Sequence, residues 1–225
     1  LKIRLREERE EKMINDKKVI AVVGASSGAG ATFVAKRLAV FMAQKCEGVT
    51  YLENHNCSCP RCIRKPLVFY DMGLYKTFFP GRFADFFFMK FMGEDTGRRV
   101  NLYKNVNWVV RRMDSPCCKL LPEDVAGKYI IWDNPEEQGS SHADLILCIV
   151  DVDIAHVMSG IDNIRNFLRD SSSKTKIVLN RVKSRALVKK TESYIGRSSD
   201  FVIWENLASV DKNIKEIADY VASLY

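Results

Sequence analysis

A short apolar run, Val19 to Val23 (VIAVV), ends in the turn GASSGAG and passes at once into ATFVAKRLAVFMAQK, where Phe33, Val34, Leu38, Phe41 and Met42 recur at helical spacing. Strand, glycine turn and helix in that order, followed by a second strand at Val49 to Glu53 (VTYLE), form a βαβ crossover of about thirty residues. This unit commits the chain to a parallel sheet, because a crossover of that length returns the second strand in the direction of the first.

The remaining chain keeps the same rhythm. Strands are expected at Asn107 to Arg111, Tyr129 to Trp132, Leu145 to Val150, Lys176 to Leu179 and Phe201 to Trp204. Four of the five run directly into a polar residue, namely Asp133, Asp151, Asn180 and Glu205. Continuous apolar strands closed by a polar residue are what a sheet buried on both faces shows where its carboxyl edge carries a site. Helices are expected at Ile154 to Arg169, Ala186 to Ile195 and Val210 to Leu224. The class is therefore α/β, with a mostly parallel β-sheet and helices on both faces. A charged arm at residues 1–18 precedes a single α/β domain at 19–225, into which residues 55–97 read as an insertion of helices and loops.

A glycine turn between a buried first strand and a helix aims backbone N–H groups at one point, where the positive end of the helix dipole adds to them, so an anion fits there. Gly24, Gly28 and Gly30 give the spacing G-x-x-x-G-x-G. Read as VGASSGAG, the turn resembles the cofactor loop of short-chain dehydrogenases, which implies NAD(P) binding. Their Tyr-x-x-x-Lys pair has no counterpart, since none of Tyr51, Tyr70, Tyr75, Tyr103, Tyr129, Tyr194 and Tyr220 is followed four residues later by Lys.

Read as ASSGAGAT, Ala25 to Thr32, the turn resembles the deviant Walker A loop, GKGGxGKT, of the MinD/ParA family of P-loop ATPases. YIIWDNP at Tyr129 to Pro135 is similar to that family's Walker B strand, ADLILCIVDVD at Ala143 to Asp153 to the strand after it, and KIVLNR at Lys176 to Arg181 to the strand whose last Asn reads adenine. The resemblance implies a P-loop NTPase-like fold and a site for ATP or ADP at Gly28, Ala29, Gly30, Ala31, Thr32 and Phe33, with Asp133 and Asn180. It also implies Mg²⁺ at Thr32 and Asp133. Both family lysines are replaced, by Ser26 and Ala31. Phosphoryl transfer depends on such cations, so hydrolysis is expected to be very weak or absent, with Lys36 or Arg37 as nearby candidates to meet phosphate charge. The degenerate loop and the VTYLE strand resemble the pilus-assembly and secretion branch of the family more than its partitioning members.

Three further features bear on partners. The formal charge of +7 lies in the window Lys174 to Arg197, which holds eight basic residues against Glu192 alone; it suits phosphates or nonspecific nucleic acid, or is a solvated surface. Cys57, Cys59 and Cys62, near His55 and with Cys117 and Cys118 elsewhere, are a weak zinc candidate, because no second clean C-x₂-C pair accompanies Cys59 and Cys62. The segment Phe83 to Met92 is too rich in Phe to face one way throughout, and is expected to meet a protein partner or a second copy of the chain. No apolar run approaches the ~18 residues of a membrane span. The expected setting is cytoplasmic, with any recruitment to a membrane face made through a partner.

Overall fold

The computed structural model describes residues 17–53, 100–103, 105–109, 121–135, 142–170 and 173–225. Nearly all of the N-terminal arm and the whole expected insertion at 55–97 lie outside the described residues. So do the zinc candidates Cys57, Cys59 and Cys62, the Phe83 to Met92 segment, and His55, Cys117 and Cys118.

The first crossover forms as expected: β1 (Lys18–Gly24), α1 (Ala31–Met42) and β2 (Val49–Glu53). Then come β3 (Val100–Tyr103), β4 (Val106–Val109) and a single 3₁₀ turn at Pro122–Asp124. The chain continues through β5 (Tyr129–Asp133), β6 (Leu145–Asp151), α2 (Ile154–Asp170), β7 (Thr175–Val182), α3 (Arg185–Ile195), β8 (Phe201–Trp204) and α4 (Leu207–Ser223). The strands form one sheet in the order β3-β4-β2-β5-β1-β6-β7-β8. Seven of them run parallel, and β3 joins the β4 edge antiparallel.

Alternation along each strand divides the core between the two faces. Ile20, Val22, Tyr51, Trp108, Ile131 and Leu147 face α1 and α4, which contribute Val34, Leu38, Ile214, Ile217 and Val221. Ala21, Leu52, Ile130, Trp132 and Ile146 face the other way, joined by Phe167 of α2. Farther along that face Cys148, Ile177 and Leu179 meet Val157 and Ile164 of α2 and Ile195 of α3. Both sheet faces are thus dry, as the continuous apolar strands required, and each such side chain fully withdrawn from water stabilises the fold by ~1.5–3 kcal/mol.

Several boundaries differ from the expectation, each for a local reason. The helix expected from Val210 begins at Leu207, because Asn206 caps it by accepting the Ser209 N–H at 2.8 Å. The helix expected from Ala186 begins at Arg185, capped by Ser184. The first helix stops at Met42, short of Lys45. The strand expected at Asn107 to Arg111 is Val106–Val109, pulled back one residue by its pairing with β3, whose turn places Asn105 at φ 59°. β3 itself was not expected from the sequence.

The sheet order also decides between the two resemblances. In a doubly wound dinucleotide-binding sheet the first strand lies beside the second. Here β1 pairs with β5 and β6, and β5 lies between β1 and β2. The dehydrogenase-like alternative is therefore excluded by topology.

Candidate functional site

β1 lies at the centre of the sheet, so the glycine turn leaves its carboxyl edge between the ends of β5 and β6. The Gly24 N–H donates to Asn134 Oδ1 at 3.0 Å, and the Ala25 N–H donates to the Ile149 carbonyl at 2.9 Å. Gly28 and Gly30 both adopt left-handed backbone, at φ 81° and 93°. Gly30 is the N-cap of α1, and no side chain caps the helix. A Cβ on Gly30 would stand 2.4 Å from Asn180 Nδ2, so only glycine lets the turn come this close to β7. The result is a helix N-terminus, free of acidic residues in its first turn, at the mouth of a tight backbone cradle.

Thr32, in the first turn of α1, does not cap its own helix. Its Oγ1 donates to Asp133 Oδ1 at 3.2 Å. Asp133, fully buried at the end of β5, also accepts from Asn134 Nδ2 at 3.0 Å on Oδ1 and from the Tyr51 hydroxyl at 2.7 Å on Oδ2. Asn134 Nδ2 is in addition 3.3 Å from Thr32 Oγ1, and its residue takes φ 45°. Asn180 ends neither a strand nor a turn. It lies inside β7, where Nδ2 donates to the Ala29 carbonyl and Oδ1 accepts the Arg181 N–H, both at 2.9 Å. The side chain thereby ties the glycine turn to β7. Thr32, Asp133 and Asn180 all converge on the turn.

The positions that hold lysine in the resembled loop contribute no charge. Ala31 is buried, and the Ser26 hydroxyl is buried without a hydrogen-bond partner. Lys36 and Arg37 do not replace them: both are buried on α1, and Arg37 is ion-paired with Asp211 of α4, its guanidinium 4.9 Å from the Phe33 ring. Phe33 is half-buried beneath it.

A second cluster was not anticipated. Asp151 ends β6, and its Oδ2 accepts from Arg181 Nη1 at 2.8 Å and meets His156 Nδ1 at 3.0 Å, while Oδ1 accepts the Asp153 N–H at 3.0 Å. Burial pushes this carboxyl up, but the Asp153 N–H, His156 and Arg181 outweigh it and hold the pKa below the usual 3.8. The three residues line a cleft of about 460 Å³ that continues past Lys183, Leu187 and Tyr194 to Glu205. Its only trace in the sequence is the polar end of β6; Arg181 at φ 58° and the i+5 reach to His156 leave none.

The basic window is less charged in effect than in count. Lys176 and Arg197 pair with Asp200, Arg181 with Asp151 and Lys183 with Glu205, while Lys174 Nζ donates to the Ala143 carbonyl. Among the described residues no group of three or more His, Cys, Asp or Glu side chains is arranged to hold a metal ion, and no helix is long and apolar enough to cross a membrane.

No protein-family model matches the chain, and neither does any curated protein sequence. Solved structures do. The chain is similar to the septum site-determining protein MinD of Pyrococcus horikoshii complexed with Mg-ADP, at 12% identity and a TM-score of 0.60 over 92% of this chain and 97% of that one. It is similar to a candidate plasmid partition protein of Borrelia burgdorferi B31 bound to AMPPNP, at 14% identity and a TM-score of 0.59 over 93% and 99%. It is also similar to the MinC:MinD cell division complex of Aquifex aeolicus, at 13% identity and a TM-score of 0.58 over 92% and 96%. The α/β chain described above has the fold of the MinD and ParA ATPases.

Proposed function

We propose that this protein binds a nucleoside di- or triphosphate at Gly28, Ala29, Gly30, Ala31, Thr32 and Phe33, and works as a nucleotide-responsive scaffold with very weak ATP hydrolysis or none. The observation that carries the reading is the cradle itself: an uncapped helix start behind left-handed Gly28 and Gly30, with a Thr32–Asp133 contact beside it and no lysine at either expected position. The orphaned Ser26 hydroxyl, buried in the same turn, is a donor that a phosphate oxygen would satisfy. The donor set also suits Mg²⁺. Thr32 Oγ1 and Asp133 are both hard oxygen groups, and such an ion usually keeps several waters and takes only one or two protein ligands. Bound there, Mg²⁺ would neutralise phosphate charge. Two solved relatives of the fold hold AMPPNP and Mg-ADP.

Binding and turnover separate at Ala31. Backbone N–H groups and a helix dipole suffice to hold an anion, whereas phosphoryl transfer needs charge placed on the moving phosphoryl group. Calorimetry should therefore show Mg²⁺-dependent ADP or ATP binding, while steady-state hydrolysis stays at background. Turnover that requires Mg²⁺ and disappears in Asp133→Asn would overturn the scaffold reading. Ala31→Lys should tighten ATP binding. A role in pilus assembly, secretion or spatial organisation fits a chain that keeps the fold and has lost the hydrolytic lysines.

A further inference from the structure

Tyr51 stands two residues before the end of β2, and Asp133 is the last residue of β5. Their pairing sets Tyr51 opposite Ile131 and Glu53 opposite Asp133, so Tyr51 and Asp133 are diagonal neighbours on one face of the sheet. An aromatic side chain with a polar tip is long enough to reach such a neighbour. Tyr51 does so: the hydroxyl donates to Asp133 Oδ2 at 2.7 Å, and both residues are fully buried. Trp108 of β4 backs the phenol ring, with centroids 5.1 Å apart, and so limits where the hydroxyl can point.

The consequence falls on the other carboxylate oxygen. With Oδ2 held by the phenol, rotation of the carboxylate would break a buried hydrogen bond, so Oδ1 stays turned toward Thr32 Oγ1 at the start of α1. This is the oxygen through which Asp133 would meet a water on a metal ion beside Thr32. Tyr51 meets that chemistry through Asp133.

We infer that Tyr51 is a positioning residue that sets the Mg²⁺ dependence of nucleotide binding by orienting Asp133. The inference rests on the nucleotide reading above and deepens it. Outer partners of this kind orient a metal's ligands, and removing one costs ~10–100-fold in metal affinity. A Tyr retained only for packing would lose stability on removal of its hydroxyl, but would give binding no preference for metal.

The test is ADP binding measured by calorimetry on the full chain, in EDTA and across a Mg²⁺ series, for the wild type, Tyr51→Phe, Asp133→Asn and the double variant. Tyr51→Phe keeps the ring beside Trp108 and should weaken ADP binding ~10-fold in Mg²⁺ while leaving binding in EDTA unchanged. In the Asp133→Asn background, Tyr51→Phe should have no further effect, because its target is gone. Equal weakening with and without Mg²⁺ would show a packing role and overturn the inference, as would an unchanged Mg²⁺ response. Wild-type protein that binds no ADP in either condition would instead overturn the nucleotide reading, and this inference with it.

Discussion

Asp151 is the residue whose environment makes the sharpest demand on solution conditions. Its carboxylate sits buried at the end of β6 between Arg181 and His156, with a pKa held below the usual 3.8. A depressed folded pKa means that ionised Asp151 contributes stability above the unfolded value, and that this contribution fades as pH falls through the folded one. Asp151→Asn should cost about 1–3 kcal/mol in urea unfolding at neutral pH, the range for a buried charged hydrogen-bonding group. Its deficit relative to the wild type should close as pH drops below about 4. A deficit that stays constant down to acid would mean that the charge of Asp151 contributes nothing. At this scale the sequence is legible only where a residue's role follows from its place in a motif. Thr32, Asp133 and Asn180 can be picked out in that way, and all three converge on the turn. Tyr51, His156 and Arg181 cannot, because their contacts are set by cross-strand register and by an unusual backbone angle.

Among the helices, α2 packs directly on the glycine turn. Gly160 faces the backbone there: a Cβ on it would stand 2.6 Å from the Ala25 carbonyl oxygen, which also accepts from Asn163 Nδ2 at 2.9 Å. Alanine within a helix is normally favoured over glycine by ~1 kcal/mol, whereas overpacking against rigid backbone costs ~1–3 kcal/mol. Gly160→Ala should therefore lower the urea midpoint rather than raise it, with the m-value unchanged. A stabilised variant would show that α2 does not press on the turn. Element identity is legible where burial is two-sided. β1 reads as an apolar run closed by a glycine turn, β5, β6, β7 and β8 each as an apolar run with a polar terminus, and the parallel class follows from them. β3 escapes because VNLY has no long apolar run and owes its strand state to a hairpin partner. The helix starts escape by one to three residues because Ser184 and Asn206, rather than the first apolar residue, decide them.

For the molecule as a whole, the question is whether nucleotide changes its association. In the family that the turn resembles, the signature lysine makes pairing conditional on the triphosphate, and Ser26 stands at that position here. A ligand shifts an equilibrium only by its differential affinity for the two states, so without that cation ATP is expected to have little grip on assembly. Light scattering should give the same mass with ATP and Mg²⁺, with ADP, and with neither. A mass that doubles with ATP alone would restore a nucleotide-driven dimer. The charge distribution has the same character at this scale. Within the window that carries the formal +7, Lys176, Arg181, Lys183 and Arg197 are paired, while among the described residues no ion pair joins Arg185, Lys189 or Lys190 of α3, which are placed to act on solvent or an acidic surface. Sequence count alone overstates that field, because the acids that offset it, Asp151, Asp200 and Glu205, come from outside the window.

Cys148 lies in the middle of β6, between β1 and β7, fully buried, with burial pushing its thiol up to about 12. A thiol that is neutral and walled in between the sheet and α2 is chemically silent toward oxidants and alkylating reagents while that face is closed. Any adduct at that position is therefore a record that α2 has lifted from this face of the sheet or that β6 has parted from a neighbour. β6 thus carries a built-in recorder of opening, which counts the rare excursions of this part of the core and ignores the motions of everything outside it.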